Sequence, residues 1–174
     1  MEYEVRNCSR KCSATDRTLE PGEVYFSLLE WQENGVQRRD FSVDAWPGPP
    51  EECIGWWRSR LAAKDADVPK LAPTDVMLNL FESLEEHAGE EEFRYLLGLL
   101  LLRRKIIRRE ESRLDEQGRE VLAVRCPKRD KDYELVVAEP KGEQATKLQL
   151  QMFDLLYGCG QVPTTDSEQN QRAA

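Results

Sequence analysis

Eight consecutive positions, Tyr95 to Leu102, carry no charge in a chain that is otherwise densely charged, and they lie between Glu90-Glu91-Glu92 and Arg103-Arg104-Lys105. A run this short falls far below the roughly 20 apolar residues needed to cross a bilayer. Read as a helix from about Glu90 to Lys105, it has Phe93, Leu96, Leu97, Leu100 and Leu101 on one stripe, with Leu99 and Leu102 on the other side. A helix apolar nearly all round must be covered on most faces. The spacing therefore predicts a central element around which the neighbouring segments wrap.

Those neighbours are legible in turn. Met77, Leu80, Phe81 and Leu84 follow the i, i+3, i+4, i+7 spacing of a buried stripe. Thr74 is the expected N-cap of that helix, with Asp75 at its positive end, and Gly89 separates it from the central one. After the central helix, Ile106–Leu114, Arg119–Cys126 and Tyr133–Ala138 are joined by short connections, which predicts a three-stranded antiparallel meander. A last helix is expected from Glu143 to Tyr157, with Leu148, Met152, Leu155 and Leu156 on one stripe and Gly158 as its stop.

The N-terminal third has a different character. Two runs rich in aromatic and β-branched residues flank Glu33-Asn34-Gly35, so a hairpin is expected across residues 23 to 42, its turn formed by Asn-Gly. Trp46-Pro47-Gly48-Pro49-Pro50 excludes regular structure. A short helix is expected over Glu51–Leu61. The chain thus reads as α+β: residues 1–62 a β-hairpin module containing Cys8, Cys12 and the Pro/Trp-rich loop; 63–72 a linker; 73–158 a helical pair, meander and C-terminal helix; 159–174 a disordered tail. A length of 174 residues suits one ordinary domain or two small ones and leaves no room for separate cofactor and substrate lobes.

The ordered set Cys8-Ser9-Arg10-Lys11-Cys12, Leu19 to Ser27, Arg38 to Ser42, Ala45 to Pro50, Gly55-Trp56-Trp57, Leu71 to Val76, Leu96 to Ile107, Gly118 to Leu122 and Cys126-Pro127 resembles an uncharacterised family of bacterial proteins common in planctomycetes. The resemblance spans nearly all of the chain except the tail. The family has no established activity, so the resemblance implies membership and transfers no chemistry, and function has to be argued from the residues.

Three constellations are candidates. All four tryptophans, Trp31, Trp46, Trp56 and Trp57, fall within residues 31 to 57, close to Arg38, Arg39, Arg58 and Arg60. Tryptophan with arginine is the usual anchor of a recognition surface. Trp46, Trp56 and Trp57 with Arg38 and Arg39 are the binding candidates, and Trp31 is assigned to the core. Second, residues 103 to 131 carry net +5 while the remainder carries −13, within an overall −8. Arg103, Arg104, Lys105, Arg108 and Arg109 could meet phosphate, or simply complement a helix C-terminus, the reading preferred because no aromatic side chains interleave to stack bases. Third, Cys8 and Cys12 have the spacing of half a tetrahedral zinc site, which Cys53 or Cys126 would have to complete from a distance.

Catalysis finds little support. The one histidine, His87, stands at an acidic helix end, where it reads as a surface residue complementing the dipole. Neither G-x-x-x-x-G-K-S/T nor G-x-G-x-x-G occurs. The expectation is a non-enzymatic cytoplasmic protein with no membrane segment and no cofactor, binding a protein partner or a second copy of itself. Its alternative is a zinc-stabilised module touching nucleic acid through the basic cluster, and a carboxylate-based enzyme ranks third. The first residues are charged and without the apolar stretch of a secretory signal, so export by that route is not expected, and five scattered cysteines suit a reducing compartment.

Overall fold

The computed structural model describes residues 11–61 and 71–157. Three strands come first: β1 (Val24–Gln32), β2 (Gly35–Ser42) and β3 (Gly55–Arg60). Two helices follow, α1 (Thr74–Glu85) and α2 (Glu91–Arg103). Three more strands, β4 (Arg108–Leu114), β5 (Glu120–Cys126) and β6 (Lys131–Val136), lead to a final helix, α3 (Glu143–Leu156). The strands form two separate antiparallel sheets, ordered β2-β1-β3 and β4-β5-β6. The α+β class, the helical pair, the meander and the closing helix are all present.

Helix α2 lies against α1, α3 and β6. Leu97 and Leu101 are fully covered, Gly98 is buried, and Leu99 is the apolar residue left at the surface. Gly98 is what brings β6 close: a Cβ there would lie 2.5 Å from Leu135 Cδ2. The helix ends with Lys105 at φ 60° while Ile106 N–H reaches Leu101 O and Lys105 N–H reaches Leu102 O. This is a Schellman stop with lysine at the left-handed position where glycine is usual.

One apolar cluster joins the first sheet to everything after it. Leu29, Ile54 and Trp57 pack with Val76, Phe81 and Leu84 of α1, Leu97 and Leu101 of α2, Val124 and Leu135 of the second sheet and Leu156 of α3. A smaller cluster, built from Cys12, Leu19, Tyr25, Leu28, Phe41 and Leu61, lies beneath the segment that precedes β1. Strand β4 differs from the others in having all seven residues exposed, Leu114 among them at 68%.

Three local expectations are corrected. Residues 55–60 form a strand rather than part of a helix. There Trp56, Trp57 and Arg58 run exposed, buried, exposed, the period of a strand, and β1 supplies hydrogen bonds that a short helix next to Pro49-Pro50 could not match. Gly55 additionally lets α1 approach, since a Cβ there would stand 2.8 Å from Val76 Cγ2. Thr74 is the first helical residue and Pro73 the cap, its carbonyl accepting the Met77 amide at 3.1 Å. A proline loses nothing there, because amides at a helix start lack intrahelical acceptors. In the hairpin, Gln32 pairs with Gly35, so Glu33 and Asn34 make the turn and only Gly35 takes positive φ, at 112°. The Gly158 stop, the tail 159–174 and most of the linker lie outside the described residues. Ala72, at the linker's end, is tied by its amide to Leu156 O at 2.8 Å.

Candidate functional site

Strand alternation divides the first sheet into two unlike faces. Residues directly opposite one another share a face, which places Ser27, Asp40, Trp57, Leu29 and Arg38 together and Phe26, Phe41, Arg58, Leu28, Arg39 and Trp56 together. The first face turns inward. Trp57 is buried there with the Arg38 guanidinium 5.1 Å above its ring. Arg38 Nε donates to Asp40 Oδ1 at 3.0 Å, its Nη2 to Ser27 Oγ at 2.9 Å and its Nη1 to Leu155 O of α3 at 3.3 Å. The Ser27 hydroxyl donates to Asp40 Oδ1 at 2.7 Å. Arg38 and Trp57 therefore join the sheet to α3 and the core.

The outer face gathers Trp46 and Trp56. Trp46 precedes Pro47, which restricts its backbone to extended values, and it adopts φ −70° and ψ 112° at the end of a short 3-10 turn over Val43–Ala45. That conformation lays its indole on Phe26, centroids 5.0 Å apart and planes 11° from parallel. Phe41 and Trp56 flank it at 5.3 Å and 5.9 Å. Trp56 is 44% exposed, and Arg39 spreads over Phe41 at 5.1 Å while Glu30 holds one of its nitrogens at 3.3 Å. The exposed Arg58 sits opposite Phe26 in the neighbouring strand. The structure thus brings Trp46, Trp56 and Arg39 together on a surface and puts Trp57 and Arg38 on the opposite side of the same sheet.

Trp31 is half buried and stacks on His87, rings 3.6 Å apart and nearly parallel. His87 Nδ1 lies 2.8 Å from Ser83 O at the end of α1, where a ring N–H satisfies one of the helix's last carbonyls. The basic residues Arg103, Arg104, Lys105, Arg108 and Arg109 are all exposed, spread from the end of α2 through its left-handed stop into β4.

The cysteines part company. Cys12 is buried in the small cluster, with Cys53 packed against that cluster, whereas Cys126 belongs to the main core on β5. The Ser42 amide and hydroxyl point at Cys12 Sγ from 3.4 Å and 3.5 Å. Burial opposes ionisation of this thiol, but hydrogen bonds from Thr15 and Ser42 outweigh it and bring its pKa down to about 6 from an ordinary 9. Burial instead raises the Cys53 thiol, helped by the charge of Glu30. Among the described residues no three His, Cys, Asp or Glu side chains are grouped to hold a metal ion, and Cys8 lies outside them. Nor, among these residues, is any helix long and apolar enough to cross a membrane.

Two features escaped the sequence reading. The Ser27–Arg38–Asp40 network left one signal, the i, i+2 spacing of opposite charges on a single strand face. Arg94, buried within the first turn of α2, left none, since its position counts as polar in any helical pattern. Comparison of the chain with known protein families, with curated proteins and with solved structures finds no match.

Proposed function

We propose that this protein is a non-enzymatic binding module whose outer aromatic face, Phe26, Trp46 and Trp56 with Arg39 and Arg58, receives a protein partner. The observation that carries this reading is the contrast between adjacent residues of β3: the fold consumes Trp57 and leaves Trp56 44% exposed. Trp56 rests against ordered rings, so little rotamer entropy remains to be lost when a partner covers it. Arginines at the rim favour a partner that offers an apolar anchor with acidic neighbours. A partner of different sequence fits better than a second copy, because two chains of net charge −8 repel.

The test compares immobilised wild type with Trp56→Ala in extract of the native cell, bound proteins being identified by mass. Removing a hot-spot tryptophan weakens binding by about 2 kcal/mol or more, roughly 30-fold, so specific partners drop out of the variant's set. An unchanged set, captured by a folded variant, refutes the proposal. Sedimentation of the purified wild type separates out the homo-oligomer, which would appear as a dimer that Trp56→Ala dissociates.

A further inference from the structure

A recessed site lies apart from the aromatic face, and the two have no residue in common. It is a cleft of about 200 Å³ where the end of α1, the start of α2 and β6 converge. Leu84, Ala88, Leu135 and Val136 give it apolar walls. At its base is Arg94, whose side chain is only 8% exposed.

Two of the three guanidinium nitrogens are committed: Nε donates to Phe81 O at 3.1 Å and Nη1 to Glu134 O at 2.6 Å. Nη2 is buried and has no hydrogen-bond acceptor among the described residues. Its nearest carboxylate oxygen, Glu85 Oε2, stays 3.6 Å away on a side chain more than half exposed. Burial depresses the Arg94 pKa, and Glu85 offsets this only in part. A buried donor with a distant ion pair and no hydrogen bond carries a desolvation cost that a closer acceptor would relieve.

Two further observations define that acceptor. Arg94 belongs to the first turn of α2, whose N-cap Glu90 supplies no side-chain hydrogen bond, and with Glu91 it lines the cleft, so the positive end of a 13-residue helix lies beside it. The other acids at its edge are already engaged, Glu91 by Arg119 and Glu134 by Arg113, but they remain negative and disfavour a multiply charged ligand. A single negative charge with a planar pair of oxygens matches the fork of an arginine. The volume, on the order of seven water molecules, limits the rest of the ligand to a small body, and the walls require it to be apolar.

We propose that this cleft binds a small free monocarboxylate with an apolar body, its carboxylate displacing Glu85 from Arg94 Nη2 and lying at the N-terminus of α2. Glu85 then acts as a built-in competitor that covers the donor when the site is empty. Benzoate is the probe, titrated into the full-length ¹⁵N-labelled protein and followed by NMR. The expected result is saturable shifts of the Glu91, Glu92 and Arg94 amides, and binding about three- to fivefold tighter in Glu85→Ala, which loses only an exposed and weakly held ion pair. Benzamide, the neutral analogue of the same shape, should leave these amides unmoved. The proposal is overturned by an equal response to benzamide, by inorganic phosphate binding as tightly as benzoate, by shifts centred elsewhere, or by no gain in Glu85→Ala. A peptide ending in phenylalanine that binds more tightly than benzoate would likewise overturn a free small acid as the occupant.

Discussion

Replacing Gly98 by alanine sets two well-characterised effects against each other within α2. In the interior of a helix, alanine is favoured over glycine by about 1 kcal/mol. Here, however, the new methyl would stand 2.5 Å from Leu135 Cδ2 and 3.2 Å from Cδ1, against an optimal carbon separation of about 3.5–4.0 Å. Leu135 must retreat by about 1 Å, and since it is fully buried that retreat presses on packed neighbours on every side except that of the cleft it lines. Overpacking of this kind costs about 1–3 kcal/mol, and an overlap this deep belongs in the upper half of that range. The net expectation is a loss of about 1–2 kcal/mol, seen as a lower urea midpoint at unchanged m and a melting temperature lower by about 2–8 °C. The cycle with Leu135→Ala isolates the cause. Alone, that truncation costs about 2–5 kcal/mol, but on the Gly98→Ala background it also removes the overlap, so the two changes should couple by about 1–3 kcal/mol. A Gly98→Ala protein more stable than wild type, or an additive cycle, would refute the claim that contact between α2 and β6 depends on the missing side chain.

Further expectations follow from single residues. Asp40→Ala leaves the buried Arg38 without its hydrogen-bonded carboxylate and should cost about 3–5 kcal/mol by urea unfolding, whereas replacing both by apolar residues of similar volume should cost far less. The Cys12 thiol has a folded-state pKa of about 6 against 9 when unfolded, so the stability it contributes is complete above pH 9 and declines to nothing as pH falls through 6. The stability difference between wild type and Cys12→Ser should grow between those limits, and thiolate absorbance should show a step near pH 6 that the variant lacks. At the stop of α2, Lys105→Gly relieves a left-handed lysine and should raise stability by about 0.5–1 kcal/mol, measured by thermal unfolding.

Long-period patterns carried most of the fold into the sequence, because a helix that buries a stripe has to repeat it. The stripes of α1, α2 and α3 and the short turns of the meander are local facts, and the elements stand close to where those facts put them. Residues 55–60 misled because what makes them a strand lies outside them: β1 supplies the hydrogen bonds and Val76 occupies the space above Gly55. The candidate surface was legible in part for a related reason. Clustering of tryptophans marked the region, yet which faces inward depends on strand register, and a single step along β3 separates buried Trp57 from exposed Trp56. Arg94 was invisible because its meaning depends on Phe81 and Glu134, which the chain places 13 and 40 residues away.

Strand β4 buries none of its side chains, so its place in the second sheet depends on backbone pairing to β5 and on exposed side-chain links, Ser112 to Glu120 and Arg113 to Glu134. It is the part of that sheet that opens at least cost, and its opening uncovers the free rim of β5, where Val121, Leu122 and Val124 are apolar and hungry for hydrogen bonds. Its adjacent pairs of charges, Arg108-Arg109 and Glu110-Glu111, make β4 a poor template for another chain while it remains docked. Its charged sequence therefore acts as a guard for its neighbour. Damage to β4 should show itself as polymerisation through β5 well before it shows itself as loss of secondary structure.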